Sequence, residues 1–373
     1  MQPVYLDNAA TAPLHTEVLE AMLPHMQCGN PSSIHSHGRK AKVAVEKVRK
    51  QVAALLNVAP AEVFFTSGGT EGNNLALQGC VAGAGITQAI TSPLEHQAVL
   101  GPLAQMAQQK GLQVHHVQVD AQGCLDHDHL AHLLQRPGQT LVSLMHANNE
   151  LGNLYNLARI GELCKEHGAV FHTDAVQTLG RLVLDWAALP VHMMVGSAHK
   201  LHGPKGVGVL YVRGGTQVTP LMQGGAQERN VRPGTENVAG IVGLGKALEI
   251  AHRNLAQDQQ HIQALKERMV LGLKARIPGV AFNGTSAQVQ DSLHTILSVR
   301  LPPSDRHDML VHNLDMQQIS ASVGSACASG SSVGSHVLQA LGIAPQGTVR
   351  FSFSQYNTVA EVDYVVAQLA ALC

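Results

Sequence analysis

Short apolar runs alternate along the chain with longer stretches in which apolar residues recur at helical spacing. Val63-Phe64-Phe65-Thr66 predicts a strand running into a helix that begins at about Thr70. Ala89-Ile90-Thr91 predicts another, followed by a helix over 95–109. Residues 114–119 read as a strand before a helix over 128–134, and 141–145 as a strand before a helix over 157–166. Apolar segments at 169–172, 193–196 and 207–211 follow at short spacing. Strand and helix in turn define an α/β fold, a mostly parallel sheet flanked by helices. In such a sheet function collects beyond the carboxyl ends of the strands.

The texture changes after Gly234. Residues 236–274 read as one long helix connecting two lobes. Beyond it, 293–299 and 349–353 predict strands and 359–372 a final amphipathic helix. These form a smaller α+β domain, against which the first dozen residues pack. The predicted division is a large domain over 14–255 and a small domain made of 1–13 and 256–373.

Composition narrows the function. A chain of 373 residues has room for a large core and two domains. Net charge of −1 and a pI of about 7.1 give no reason to expect nucleic acid or an anionic membrane as partner. No apolar stretch approaches a membrane span, and Met1 to Asp7 lacks the basic-then-apolar pattern of a secretory leader, so a cytoplasmic enzyme is expected. Six cysteines occur without a C-x-x-C pair, which argues against a zinc ribbon or a thioredoxin-like site. Cys80, Cys124 and Cys164 read as small buried apolar residues. The densest histidine cluster, His127, His129 and His132, reads as a solvated helix start rather than a metal site.

Chemistry concentrates at the predicted strand ends. Lys200, in Ser197-Ala198-His199-Lys200, lies 26 positions after Asp174, and each follows a buried apolar run. An amine and a carboxylate delivered to one sheet edge point to pyridoxal 5'-phosphate (PLP). Lys200 would form the Schiff base, and Asp174 would keep the pyridine nitrogen protonated. Thr66-Ser67-Gly68-Gly69-Thr70-Glu71 joins strand to helix as a phosphate cup, its glycines freeing backbone N–H groups to face an anion. The same residues also read as a helix start capped by Thr70. Ser197 and His199 are placed to contact phosphate, and Gln177 or Asn149 to donate to the ring hydroxyl oxygen. His96 opens a helix after a strand, where it can stack on the pyridine and shuttle protons.

Two further residues select among PLP reactions. Cys327 sits in Gly324-Ser325-Ala326-Cys327-Ala328-Ser329-Gly330, a run of small residues that suits an exposed, nucleophilic thiol better than a buried one. Arg350 ends an apolar segment, where its guanidinium either grips an amino-acid carboxylate through two parallel hydrogen bonds or makes an ordinary structural ion pair.

Together these segments resemble the cysteine desulfurases of the NifS/IscS type, within the class V aminotransferases. The likeness includes Tyr5-Leu6-Asp7-Asn8-Ala9-Ala10-Thr11, Gly29-Asn30-Pro31-Ser32-Ser33-Ile34-His35, the Gly68-Gly69-Thr70-Glu71 turn and Glu95-His96. It continues through Asn148-Asn149-Glu150, Asp174 with Gln177, His199-Lys200, Gly324 to Cys327 and Arg350-Phe351-Ser352. The resemblance implies the type I fold of PLP-dependent transferases, with a seven-stranded sheet, and a homodimer that converts L-cysteine to L-alanine. It implies a persulfide on Cys327, handed to an acceptor such as an iron–sulfur scaffold. It gives Lys200 the covalent bond to PLP. Gly69, Thr70, Asn149, Asp174, Gln177, Ser197 and His199 become its other holders, with His96 over the ring. Thr235 would reach the phosphate of the other subunit, and Arg350, with Asn30 near it, would bind the substrate carboxylate. The pattern departs from the family at Ala198, often glycine, and in Gln227 to Asn230, where a histidine-led version is common. Another class V PLP enzyme, such as a selenocysteine lyase, is the alternative within the fold. A non-enzymatic sulfur carrier is the alternative outside it.

Overall fold

The computed structural model describes residues 3–304, 307, 309–323 and 334–373. In chain order the first part comprises β1 (Val4–Tyr5), α1 (Thr16–Met22), α2 (Ser36–Leu56), β2 (Val63–Thr66), α3 (Gly69–Gly83), β3 (Gln88–Thr91), α4 (Gln97–Lys110) and β4 (Gln113–His116). Next come α5 (His127–Leu134), β5 (Thr140–Ser143), α6 (Leu157–Glu166), β6 (Val170–Asp174), β7 (Met193–Ser197), β8 (Gly208–Val212) and α7 (Val238–Arg276). The last part holds β9 (Ala281–Phe282), β10 (Ile296–Arg300), α8 (Leu310–Met316), β11 (Ile319–Ser320), α9 (His336–Ala340), β12 (Thr348–Ser352) and α10 (Val359–Leu372).

Seven strands form the main sheet in the order β2-β8-β7-β6-β5-β3-β4. β8 runs antiparallel to both its neighbours, and the remaining pairings are parallel. Every residue of β2, β3, β5, β7 and β8 is buried, as strands covered by helices on both faces require. The mostly parallel α/β sheet expected from the sequence is therefore present. The helix at Ser36–Leu56 adds to the elements expected from the sequence. It is 21 residues long, begins at His35, whose Nδ1 accepts from Gly38 N, and ends at Asn57 in left-handed conformation. Its buried Ala41, Val45, Val48, Val52 and Leu56 lie three to four residues apart.

The two largest apolar cores separate by lobe. The larger gathers side chains from Val18 to Ile250, and the smaller joins Val4 and Leu6 to Ile262 and residues beyond, as far as Leu369. The 39-residue helix α7 serves both, giving Ile241, Leu244 and Leu248 to one and Ile262, Leu265 and Met269 to the other. It is the connector its sequence suggested. The smaller lobe contains an antiparallel sheet in the order β12-β10-β9 and the parallel pair β1-β11. Pairing of β1 with β11 places the N-terminal segment on this lobe. Asn8 Nδ2 donates to Ser352 O at 2.8 Å, and Ser352 Oγ accepts from Ala9 N at 2.8 Å, which steers the next residues into the cleft. Among the described residues no helix is long and apolar enough to cross a membrane.

Candidate active site

The carboxyl ends of five strands, β2, β3, β5, β6 and β7, meet at one cleft. Counting its open mouth, it encloses about 780 Å³ free of atoms. Gly69, Thr70, His96, Asn149, Asp174, Gln177, Ser197, His199, Lys200 and Arg350, all inferred from sequence, line it together. Cys327 lies outside the described residues. Asn30 and Thr235 do not line this cleft. They border a separate open concavity with Met22, His25, Cys28 and Lys205, and both are exposed.

The cup follows directly from β2. Gly68, not Thr70, precedes α3, and Thr70 lies inside the first helical turn, so the expected Thr70 cap is absent. Gly68 has φ of +152°, a conformation closed to residues with a Cβ. The backbone there runs close to β8, since a Cβ on Gly208 would lie 2.8 Å from Gly68 Cα. Ser197, at the end of β7, reaches the same turn, its Oγ 3.7 Å from the position a Gly68 Cβ would take. The N–H groups of the first helical turn of α3 have no intrahelical acceptors, and the helix dipole adds positive charge at that end.

Asp174 ends β6 beside β7, in register with Val195. Its Oδ1 accepts from Val176 N at 2.9 Å and its Oδ2 from Asn73 Nδ2 at 2.7 Å. Asn73 also lines the cleft and was missed in the sequence. The available signal was its position one helical turn after the cup. Lys200 Nζ donates to Ala9 O at 2.6 Å and Ala10 O at 2.7 Å. Gln177 Nε2 donates to the same Ala9 carbonyl at 3.1 Å. The N-terminal segment thus forms one wall of the cleft and orients its amine, a role that local sequence pattern did not reveal. Behind the lysine, Arg181 Nη2 donates to Lys200 O at 2.5 Å.

His96 precedes α4 and its Nδ1 accepts from Ala98 N at 3.0 Å, so a neutral ring carries its proton on Nε2. Burial lowers its pKa, and Lys200 and His336 add to that, while Asp174 and Glu150 oppose it. His199 is pushed down to about 4, chiefly by burial and then by Lys200 and Lys205. Its Nδ1 lies 3.2 Å from Thr11 Oγ1. Glu95 is fully buried, with Oε1 accepting from Met145 N at 2.8 Å, and burial raises its carboxyl well above the usual carboxylate range. It ties the loop after β3 to the loop after β5. Arg350 is 2 % exposed. Its Nη1 donates to Asn149 O at 2.8 Å and its Nη2 to Asp7 Oδ1 at 2.9 Å. The ion pair allowed for in its sequence reading is therefore made, and the same guanidinium faces the cleft.

The class V aminotransferase family model matches residues 4–365. A cysteine desulfurase IscS from Dictyoglomus turgidum is 40% identical over 371 residues, covering 97% of this chain and 92% of the relative. A solved NifS-like protein superposes with a TM-score of 0.91 at 36% identity, covering 99% of each chain. A structure of SspA in complex with cysteine superposes with a TM-score of 0.81 at 31% identity, over 95% of this chain and all of the other. The chain belongs to the class V aminotransferase family. Within that family its place is among the cysteine desulfurases.

Proposed function

We propose that this cleft desulfurates L-cysteine with bound PLP, giving L-alanine and a persulfide on Cys327. The carrying observation is that the Lys200 amine, the doubly anchored Asp174 carboxylate and the glycine turn before α3 line one cleft. That donor set fits PLP: an amine for the aldehyde, a carboxylate for the ring nitrogen, and helix-start N–H groups with Ser197 for the phosphate. Gly69, Thr70, Ser197 and His199 would hold the phosphate end, and Asp174, Gln177 and Asn149 the ring, with His96 beside it. Bound there, the cofactor would serve as a sink for the electrons left at the substrate α-carbon when its proton is removed.

The chain's own residues would do the rest. Lys200 takes the α-proton, its ammonium form being stabilised by the Ala9 and Ala10 carbonyls. Arg350 orients the substrate carboxylate from a position set by Asp7 and Asn149. Asn73 and the Val176 amide keep Asp174 aimed. His96 offers an Nε2 proton beside the reacting atoms. Cys327 attacks the substrate sulfur, so the Cβ–S bond breaks and an S–S bond forms. The carbon is reduced, both sulfurs are oxidised to the persulfide level, and the Cys327 thiol proton ends on alanine, so no outside oxidant or reductant is needed.

The same reading divides the chain into domains at 14–255 and at 1–13 with 256–373, supported by the two apolar cores. It also calls for a homodimer in which Thr235, with Asn30 beside it, serves the partner's cleft. Exposed Leu23, Met26 and Ile34 near that concavity support an apolar contact there. We place the enzyme in the cytoplasm, where reduced thiols persist and a sulfur acceptor such as an iron–sulfur scaffold can collect the persulfide. Mass analysis of Cys327 after incubation with L-cysteine tests the function, the expected result being the gain of one sulfur. A Cys327→Ala protein should retain lysine-bound cofactor and lose sulfide release. Undiminished release would remove Cys327 from the reaction.

A further inference from the structure

Three successive residues other than glycine, Glu228, Arg229 and Asn230, have φ of 43°, 54° and 64°. Side chains rarely tolerate this backbone, and it persists only where the surroundings dictate it. Here they do. Arg49 and Glu228 form a buried two-point ion pair, with Nη2–Oε1 at 2.6 Å and Nη1–Oε2 at 2.8 Å. Arg49 Nη1 also donates to Val63 O at 2.7 Å, and its guanidinium sits 4.7 Å from the centre of the Phe65 ring. Glu228 Oε2 accepts in addition from Phe65 N at 2.8 Å. Arg229 donates to Val63 O at 3.4 Å and to Pro60 O at 3.1 Å.

Apart from the ion pair itself, these bonds fall on β2 or its lead-in. β2 is an edge strand with β8 as its strand neighbour among the described residues. Side chains of the strained segment and of α2 therefore satisfy edge groups that another strand would otherwise pair. Two residues further on, Arg232 donates from Nε to Glu71 Oε1 at 2.8 Å and from Nη2 to Oε2 at 3.2 Å. Glu71 Oε2 in turn accepts from Ser67 N at 2.8 Å. The segment thus grips the cup from two sides, through the strand that enters it and through the first turn of the helix that leaves it.

We propose that Glu228 and Arg232 are positioning residues for phosphate. With Arg49 they form a brace that holds the 67–71 turn, and with it the backbone N–H groups that open α3, and hence the share of ligand affinity that comes from a phosphate group. The proposal rests on the cleft's being a PLP site. It assigns a purpose to the strained backbone, which a merely stabilising ion pair would not need.

The test compares equilibrium affinities of the full-length protein for PLP and for pyridoxal, which has the same ring without the phosphate. In Arg232→Met the PLP affinity should fall about tenfold with pyridoxal affinity unchanged, the scale of one charge-assisted contact. Arg232→Lys should recover part of the difference. Glu228→Gln should lower the same ratio, and if it fails to fold, the half-buried Arg232 pair carries the test alone. An unchanged ratio in Arg232→Met overturns the brace, and so does an equal loss for both ligands, which would mark a structural role only. Unmodified protein without preference for the phosphorylated ligand would overturn the reading of the cleft itself, and the brace with it.

Discussion

Asn73 donates its side-chain amide to Asp174 Oδ2 at 2.7 Å, across 101 positions of sequence. The bond joins the helix that leaves the phosphate cup to the strand that delivers the acid. One residue thereby couples the two ends of the proposed ligand site. Replacing Asn73 by Ala should leave that carboxylate oxygen without its donor. A hydrogen bond to a charged group contributes roughly 1.5–3 kcal/mol, so sulfide production should slow by about tenfold or more. Steady-state kinetics with L-cysteine checks this, with Asn73→Ser, which keeps a donor, expected to lie between. Wild-type rates in Asn73→Ala would show that the bond has no part in catalysis.

Arg350 already uses one N–H toward Asn149 and one toward Asp7. Lysine keeps the charge but not the planar fork. Arg350→Lys should therefore raise KM for L-cysteine by about tenfold or more, with a smaller change in kcat. A change confined to kcat would contradict a role in binding the substrate carboxylate.

Gly208 lies so near the cup that a Cβ there would approach both Gly196 O and Gly68 Cα to 2.8 Å. Backbone cannot yield as a flexible side chain would. Gly208→Ala should cost about 1–3 kcal/mol of stability and release PLP more readily than the parent. Urea unfolding and cofactor retention after dialysis measure the two effects. Unchanged retention would mean that β8 does not shape the phosphate site.

Four buried histidines predict acid sensitivity. Burial holds His146 and His202 down to about 4, and His172 and His294 to about 3. Unfolded histidine titrates near 6.5, so below that pH the unfolded chain binds protons that the fold refuses. Stability should be flat above about pH 6.5 and fall below it, by roughly 1.4 kcal/mol per pH unit for each histidine. Urea midpoints measured at about pH 7.5, 6 and 5 should drop accordingly. A constant midpoint over that range would mean that these rings titrate in the fold as they do in the open chain.

Much of the fold was legible as local pattern. The predicted strand at Val63–Thr66 and the helices over 157–166 and 359–372 match the observed bounds, because period and burial coincide there. Nine of the ten predicted residues in the cleft end or follow strands β2, β3, β5, β6 and β7 at one edge of the main sheet, and Arg350 reaches it from β12 of the smaller lobe. Ser36–Leu56 carried an equally readable three-to-four-residue apolar spacing and was passed over. Thr70 misled because a threonine near a helix start usually caps it, whereas here Gly68 holds that position in a conformation no other residue takes easily.

The sequence by itself determined which residues stand at strand ends, where the glycine turn falls, and hence the kind of chemistry carried, because these depend on spacings of two to four residues. Tertiary structure alone decided that β6 and β7 lie side by side, which brings Asp174 and Lys200 into the same cleft. It alone placed the Ala9 and Ala10 carbonyls on the Lys200 amine, 191 and 190 positions away. It also carried Asn30 and Thr235 to a different surface. Strand order and lobe docking arise from burying apolar faces against distant partners, and no local period encodes which partner that is.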